Sequence, residues 1–343
     1  MSRFKYSVGP WNVHNGADSY GPAVRNDIPL EEKFRKFAEL GFSAVQFHDD
    51  DAIPNLNYLS EKEIKLEARK VKALLDKYHL AAEFVAPRLW MDPHTIDGGF
   101  TSTKKEDRDY AIWRSLRSID IAKEMDCGMV GLWLAREGTL CAESKSAVEG
   151  INYLVNGINT MLDYDPKIKI FIEPKPNEPI DRSFCGTIGH VMAVSAATKD
   201  PSRVGGLMES AHAILAGLDP ANEIGFALAM GKLMGVHFND QNGMKFDQDK
   251  AFGVENLRQA FNQIRILMEN NYGSRGEYIG LDVKAMRTTQ DIDSYKHLEN
   301  SLKVAKMLEA KAEKFDYAFQ KKCIESRDYE GLEMYVMELL MLG

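Results

Sequence analysis

Cysteine is scarce and scattered: Cys127, Cys141, Cys185 and Cys323 form no C-x-x-C pair. That spacing excludes a four-cysteine zinc site and argues against a disulfide framework. The opening Met-Ser-Arg-Phe-Lys-Tyr has no apolar stretch of the kind a signal peptide carries. No run approaches the roughly 18 apolar residues that a membrane span requires. Positive charge is in deficit, with 43 basic residues against 51 acidic ones, and a net charge of −8 disfavours binding to a phosphate backbone. The dinucleotide fingerprint G-x-G-x-x-G is missing after the first apolar run, and no Walker-type lysine loop occurs, so no nicotinamide or nucleotide cofactor is expected. What is present is a globular composition, 44% hydrophobic and 27% charged over 343 residues, which supports a core without staples. Within these bounds the expectation is a cytoplasmic protein with no membrane or nucleic-acid partner.

Short β-branched runs alternate with longer amphipathic segments along almost the whole chain. Strands are expected near Tyr6–Gly9, Ala44–His48, Ala82–Ala86, Val130–Leu134, Lys169–Glu173, Val204–Glu209, Gly235–Asn239 and Tyr278–Asp282. They recur about every 39 residues, the length of a strand, a helix and two loops. Between them Glu61–Tyr78 carries Ile64, Val71, Leu74 and Leu75 on one stripe, and Ser60 with Glu63 forms a capping-box signature at its start. Asp107–Met125 and Val254–Asn270 show the same amphipathic pattern. Eight such units predict an α/β fold of (β/α)8 TIM-barrel type over residues 1–313, acting as the catalytic domain. Residues 314–343 carry Phe315, Tyr317, Phe319, Leu332, Tyr335 and Val336, which predicts a C-terminal helical extension packed outside the barrel or on a neighbour.

Barrel enzymes build their sites at the carboxyl ends of the strands, and that is where this chain concentrates its ionisable residues. The second strand closes with Phe-His48-Asp-Asp-Asp51, the fourth with Trp133-Leu-Ala-Arg136-Glu137, and the fifth with Glu173-Pro-Lys175. The sixth closes with Glu209-Ser-Ala-His212, the seventh carries His237 and leads to Asp247-Gln-Asp249, and the eighth ends Asp282-Val-Lys284. Buried charges on apolar strands are costly unless paired or metal-bound. Glu173, Glu209, His237 and Asp282 are therefore candidate ligands of one divalent cation, with Mn2+ the best match and Mg2+ or Co2+ compatible. His212, Asp247 and Asp249 are candidates for a second ion, or equally for a solvated loop. His48, followed by three aspartates, has the pattern of a carboxylate-oriented general base. Lys175 and Lys284 each stand two residues past a candidate ligand, hence on its face, where they can neutralise an oxyanion or balance the carboxylates. Glu137 is placed with His48 and Lys175 among candidate catalytic residues. Trp11, Trp90 and Trp133 lie at or past the ends of strands one, three and four, where their rings can stack on a sugar or a flavonoid, core packing being the commoner fate of tryptophan. His14, Arg88 and, more weakly, Tyr20 are further candidates for substrate contact.

Taken together, Phe-His48-Asp-Asp-Asp, Arg136-Glu137-Gly, Ile-Glu173-Pro-Lys175-Pro-Asn-Glu-Pro, Asn242-Gly-Met-Lys-Phe-Asp247-Gln-Asp249 and Asp282-Val-Lys284 resemble the xylose isomerase family, in order and over about residues 5–290. The resemblance implies a metal-dependent sugar enzyme. In it Glu173, Glu209 and Asp282 bind one ion, while Glu209, His212, Asp247 and Asp249 bind another. It further implies that His48 contacts the sugar ring, Lys175 its carbonyl oxygen, and Trp11 and Trp133 the pocket wall. Three departures stand out: His237 where that family has aspartate, Leu134-Ala135 where it has two glycines, and His14 where it has tryptophan. A histidine among carboxylates is the pattern of single-metal ketose epimerases and inosose dehydratases, which abstract a proton next to a ketone.

The variant texture, in Gly9-Pro-Trp-Asn-Val-His14, Pro87-Arg-Leu-Trp90 and Leu-Ala-Arg-Glu-Gly-Thr-Leu-Cys141, resembles the large subunit of bacterial C-glycoside deglycosidases. That resemblance implies a carbon–carbon lyase acting on a 3-oxo-C-glucoside of flavonoid type. It also implies a small β-rich partner subunit in a hetero-oligomer. His48 would abstract the C2 proton, and an acid of open identity would protonate the departing aryl carbon. A metal-dependent sugar isomerase or 3-keto-sugar epimerase is the alternative.

Overall fold

The computed structural model describes residues 2–342; Met1 and Gly343, the outer ends of the expected barrel and tail segments, lie outside the described residues. Eight parallel strands form a closed barrel: β1 (Lys5–Val8), β2 (Ala44–His48), β3 (Ala81–Ala86), β4 (Met129–Trp133), β5 (Lys169–Glu173), β6 (Val204–Glu209), β7 (Leu233–Phe238) and β8 (Tyr278–Leu281). Each expected strand is present within two residues of its expected bounds. Asp282, expected inside the last strand, sits one residue past it. An antiparallel ribbon between Gly138–Thr139 and Arg182–Ser183 has no counterpart in the sequence reading. Two-residue strands are too short for a period to register.

The helices form where the apolar spacing and caps dictate. Glu61–Lys77 buries Ile64, Ala68, Val71 and Leu75, and the Ser60–Glu63 capping box closes its first turn. Such a cap contributes about 1 kcal/mol. The helix Leu30–Leu40 inserts Phe34 edge-on against Phe47 of β2, at 5.8 Å between ring centroids. Burying a side chain of that size stabilises by roughly 1.5–3 kcal/mol. After the helix Lys296–Ala312 two further helices follow, Tyr317–Ser326 and Tyr329–Met341, docked through Phe315 against Phe261 and Tyr335. Among the described residues no helix is long and apolar enough to cross a membrane.

Register fixes which strand ends meet. Trp133 pairs with Glu173, Glu209 with His237, and His237 with Gly280. Gly280 is required by close approach: a Cβ there would lie 2.1 Å from Gln46 Nε2 and 2.7 Å from His237 Cδ2. The short helix Ser210–Leu215 begins directly after β6 and returns His212 beside Glu209.

One tie holds the β1 loop to the rest of this end. His297 Nε2 donates to the Asn12 carbonyl at 2.8 Å, and Asn12 Oδ1 accepts from Val283 N at 2.6 Å. Burial, together with the neighbouring charges of His14 and Arg25, pushes His297 down to about 4 against that hydrogen bond. Its folded pKa therefore lies below the unfolded value of 6.5, so the unfolded chain takes up the proton first. The contribution to stability is complete above pH 6.5 and is lost as pH falls towards 4. Between pH 7 and pH 5 this amounts to about 2 kcal/mol. His297→Gln, which can still donate to Asn12, is expected to lose that much less stability over the same interval in urea unfolding. Equal losses in the two proteins would contradict the assignment.

Candidate active site

β5, β6, β7 and the segment after β8 deliver their last inward-facing side chains to one point. Glu173, Glu209, His237 and Asp282 each offer a ligand atom, and these atoms lie within 4.8 Å of one another. Their hydrogen bonding is incomplete in a telling way. Glu209 Oε2 and both ring nitrogens of His237 are buried without a hydrogen-bond partner, and His237 Nδ1 stands 3.6 Å from Glu209 Oε2 and 3.8 Å from Glu173 Oε1. Orphaned acceptors facing each other just beyond hydrogen-bond range are what a cation's ligands look like, and mixed carboxylate and imidazole donors suit Mn2+, Mg2+ or Co2+. The residues present fit a divalent cation.

The charges confirm how crowded this end is. Burial and the adjacent Glu173 raise the Glu209 carboxyl to about 7, with His212 opposing. Burial also presses Glu173 upward, yet the neighbouring positive charge of His237 and His212 holds it below the usual carboxylate range. Asp282 is raised by burial and by Glu209, and its Oδ1 accepts from Trp11 Nε1 at 2.8 Å. Asn239 Nδ2 donates to both Glu209 Oε1 at 2.7 Å and Asp249 Oδ1 at 3.0 Å, bridging the two acidic groups.

The second set is brought together in part. Glu209, His212 and Asp247 form a compact group, and Asp249 falls outside it. Both aspartates already hold a cation: Lys284 Nζ sits directly on Asp249 Oδ2, and Lys175 Nζ lies 2.9 Å from Asp247 Oδ2. Two ammonium groups thus supply positive charge where a second cation would. Lys175 also reaches Glu178 Oε2 at 3.3 Å and lies 5.4 Å from the Trp133 ring centroid. Although burial works against it, Asp247 and Glu178 raise its pKa, so it remains an ammonium.

Across the cavity stands His48. Its Nδ1 is 3.0 Å from Asp51 Oδ2 and 2.9 Å from Arg88 Nη2. A guanidinium only donates, while a carboxylate only accepts, so the two contacts imply opposite tautomers. We assign the proton to Nδ1, because the bond to the Asp51 carboxylate is charge-assisted. Nε2 is then the nitrogen available to the cavity. Arg88 is itself held by Asp50 at 2.6 Å and Asp51 at 3.0 Å. Behind them Arg114 makes a two-pronged bond to fully buried Asp49, at 2.7 Å to each oxygen. This network fixes the strand end that carries His48.

These groups line one cavity of about 410 Å³, the size of a small-molecule site. Of the sequence candidates, Trp11, His48, Arg88, Trp90, Trp133, Glu173, Lys175, His212, His237, Asp247, Asp249, Asp282 and Lys284 line it. Glu209 lies just beneath, 1% exposed. The Trp11 ring sits 4.3 Å from His48, and Trp90 meets Trp133 edge-on at 4.5 Å. Three candidates are elsewhere. Tyr20 is 98% exposed on the β1 loop. His14 lies outside the lining, with Nδ1 accepting from Gly16 N. Glu137, expected among the catalytic residues, is instead an anchor: its oxygens accept from the amides of Gly99, Phe100 and Thr101 and from Thr101 Oγ1, at 2.6–2.9 Å. A carboxylate with that many donors holds the loop and has no capacity left for a substrate.

The lining also includes Phe84, Phe171, Arg136 and Glu178, to which sequence reasoning gave no role. Strand alternation could have found Phe171, two residues before Glu173. Glu178, which accepts from the Asp247 amide at 2.8 Å, stood in a quoted motif without a role. Below the cation ligands Gln46 Nε2 donates to half-buried Glu83 at 2.9 Å, a polar floor that nothing in the sequence pattern marked.

One tight cation per chain is the expected outcome, read by elemental analysis after desalting. At a hundred times its Kd the ion would stabilise the fold by about 2.7 kcal/mol. Glu209→Gln is expected to abolish retention, and Asp247→Asn to preserve it. Two retained ions, or one unaffected by Glu209→Gln, would contradict this geometry.

Comparison with known proteins agrees with the barrel. Residues 34–288 match the family model described as xylose isomerase-like TIM barrel. The chain is 31% identical over 316 residues to xylose isomerase from Thermus thermophilus, covering 91% of this chain and 80% of that protein, and equally so to xylose isomerase from Thermus caldophilus. Among solved structures, a D-tagatose 3-epimerase-like protein is similar with a TM-score of 0.64 at 19% identity, over 88% of this chain and 98% of that one. A 3-keto-D-glucoside 4-epimerase from E. coli gives a TM-score of 0.62 at 13% identity, over 89% and 99%. At such identities the structural likeness speaks for the fold alone. The sequence match, spanning most of the barrel and both halves of the acidic cluster, is sufficient to conclude that this chain belongs to the xylose isomerase-like TIM-barrel family.

Proposed function

We propose that the chain is a divalent-metal-dependent sugar isomerase or epimerase that moves a proton on carbon next to a carbonyl. The observation that carries this reading is one cavity with the Glu173–Glu209–His237–Asp282 donor set on one side and the Asp51-held His48 on the other. The similar proteins are named for xylose, tagatose and 3-keto-glucoside, which supports a carbonyl-bearing sugar as substrate class.

A cation held by the four ligands would supply Lewis-acid polarisation of the substrate carbonyl. His48 Nε2 takes the proton from the adjacent carbon, with Asp51 stabilising the imidazolium that results. Lys175 has three N–H groups and two carboxylate neighbours, which leaves one donor for the oxyanion that develops. Trp11, Trp90 and Trp133 shield the reacting carbon from water. Return of the proton from His48 to the neighbouring carbon gives the isomer, and a proton delivered to the opposite face by a second acid gives the epimer.

A second reading is favoured by the lining of the site. Trp90, Trp133, Arg88 and Arg136 add aromatic and cationic side chains to the cavity that holds the acidic group, a lining suited to an aryl substituent on the sugar. On a 3-oxo-C-glucoside the same proton abstraction at C2 would place electrons to expel the C1 substituent, giving a carbon–carbon lyase. The acid that protonates the leaving carbon would come from a small β-rich partner subunit. A covering partner draws support from the rim, where Tyr20, Met91, Leu140, Phe246 and Ile292 are exposed on the loops after β1, β3, β4, β7 and β8.

Incubation of the Mn2+-loaded protein with free ketoses and, separately, with a 3-oxo-C-glucoside in the presence of a candidate small β-rich subunit, each with and without chelator, tests these readings. Chelator-sensitive interconversion is expected; aglycone release would select the lyase reading, and inertness towards all of them would refute both. His48→Ala is expected to lower turnover by about 10²–10⁴-fold while the ion stays bound. Undiminished turnover in that variant would remove His48 from the mechanism.

A further inference from the structure

The cavity is lined by cationic side chains whose partners can be traced one by one. Arg88 is held by Asp50 and Asp51. Lys175 is held by Asp247 and Glu178, and Lys284 by Asp249. Arg136 differs. Its Nε donates to the Trp90 carbonyl at 3.0 Å, and among the described residues no carboxylate lies within 4.0 Å of its guanidinium. Both Nη groups are therefore uncommitted in a cavity that contains several acids.

We propose that Arg136, with Trp90 and Trp133, forms an outer subsite that binds a planar anionic substituent of the substrate, a carboxylate or phenolate. A half-buried guanidinium without a counter-ion is costly, and its planar fork matches a two-oxygen anion better than any other ligand. The bond from Nε to Trp90 fixes the plane of the fork. The ring of Trp90, edge-on to Trp133 at 4.5 Å, supplies an apolar wall beside it. Trp133 also connects this end to the acidic one, since it pairs in register with Glu173 and lies under Lys175. The acidic cluster repels an anion from the inner end, so the two ends together orient a substrate with its carbonyl inward and its charge outward. The proposal rests on the reading that this cavity holds the substrate.

The test is a pair of matched probes, 4-carboxyphenyl and phenyl β-D-glucoside, titrated calorimetrically into the metal-loaded chain. Charge-assisted bonding predicts that the carboxylated probe binds roughly 10–100-fold tighter. Arg136→Gln is expected to bring the ratio of affinities close to one, and Arg136→Lys, which keeps the charge and loses the fork, to leave an intermediate ratio. Melting temperatures of both variants establish that the fold persists; if Arg136→Gln does not fold, the Arg136→Lys ratio decides. Equal binding of the two probes by the unaltered protein, or a ratio that survives the variant, overturns the subsite alone. Failure of both probes to bind overturns the subsite and the substrate cavity together.

Discussion

The interaction on which this molecule turns is repulsion among carboxylates. Glu173, Glu209, Asp247, Asp249 and Asp282 crowd one end of an apolar barrel, where Coulomb energies are several times those in water. Such an arrangement persists only if positive charge is interleaved with it. Lys175 and Lys284 answer Asp247 and Asp249, Asn239 bridges Glu209 to Asp249, and His212 and His237 stand between the remaining acids. The surplus falls on the quartet around Glu209, which is where a divalent cation completes the balance. Gly280 belongs to the same requirement, since only the absence of a side chain there lets Gln46 approach His237 of that quartet.

The opposite wall obeys a different logic. There three carboxylates share two guanidiniums, Asp49 and Asp50 with Arg114, Asp50 and Asp51 with Arg88, and Asp51 also meets His48, so the result is a stiff mount for that imidazole. Trp11 spans the two walls, its Nε1 on Asp282 and its ring against His48. A Lewis-acid end and a base are thereby held at a fixed separation, which is the geometry that carbonyl chemistry on a sugar demands. The His297–Asn12–Val283 tie, remote from the chemistry, keeps the Trp11 loop in place.

Much of this was legible in the sequence because a parallel barrel converts order along the chain into position in space. An acid ending an apolar strand can only arrive at the carboxyl rim, so Glu173, Glu209, His237 and Asp282 could be grouped before any distance was known. Ser60 and Glu63 announced a helix start by local hydrogen bonding alone. What stayed hidden depends on contacts between distant segments. Glu137 reads as one more acid at a strand end, and only the approach of residues 99–101 turns it into an anchor. Asp249 resembles a ligand until Lys284 is seen on it. Arg136 acquires meaning from the lack of a partner, which no spacing reveals. The Gln46–Glu83 floor alternates correctly for an interior face but carries polar side chains where packing predicts apolar ones.

The central claim is that this site moves a proton between substrate carbon and His48. The most direct measurement is to incubate the Mn2+-loaded protein with a ketose that it converts, in D2O, and to locate deuterium by NMR. The account predicts deuterium on the carbon next to the carbonyl, dependent on the ion and on His48. Interconversion with no deuterium at that carbon, hydrogen passing directly from carbon to carbon, would contradict it.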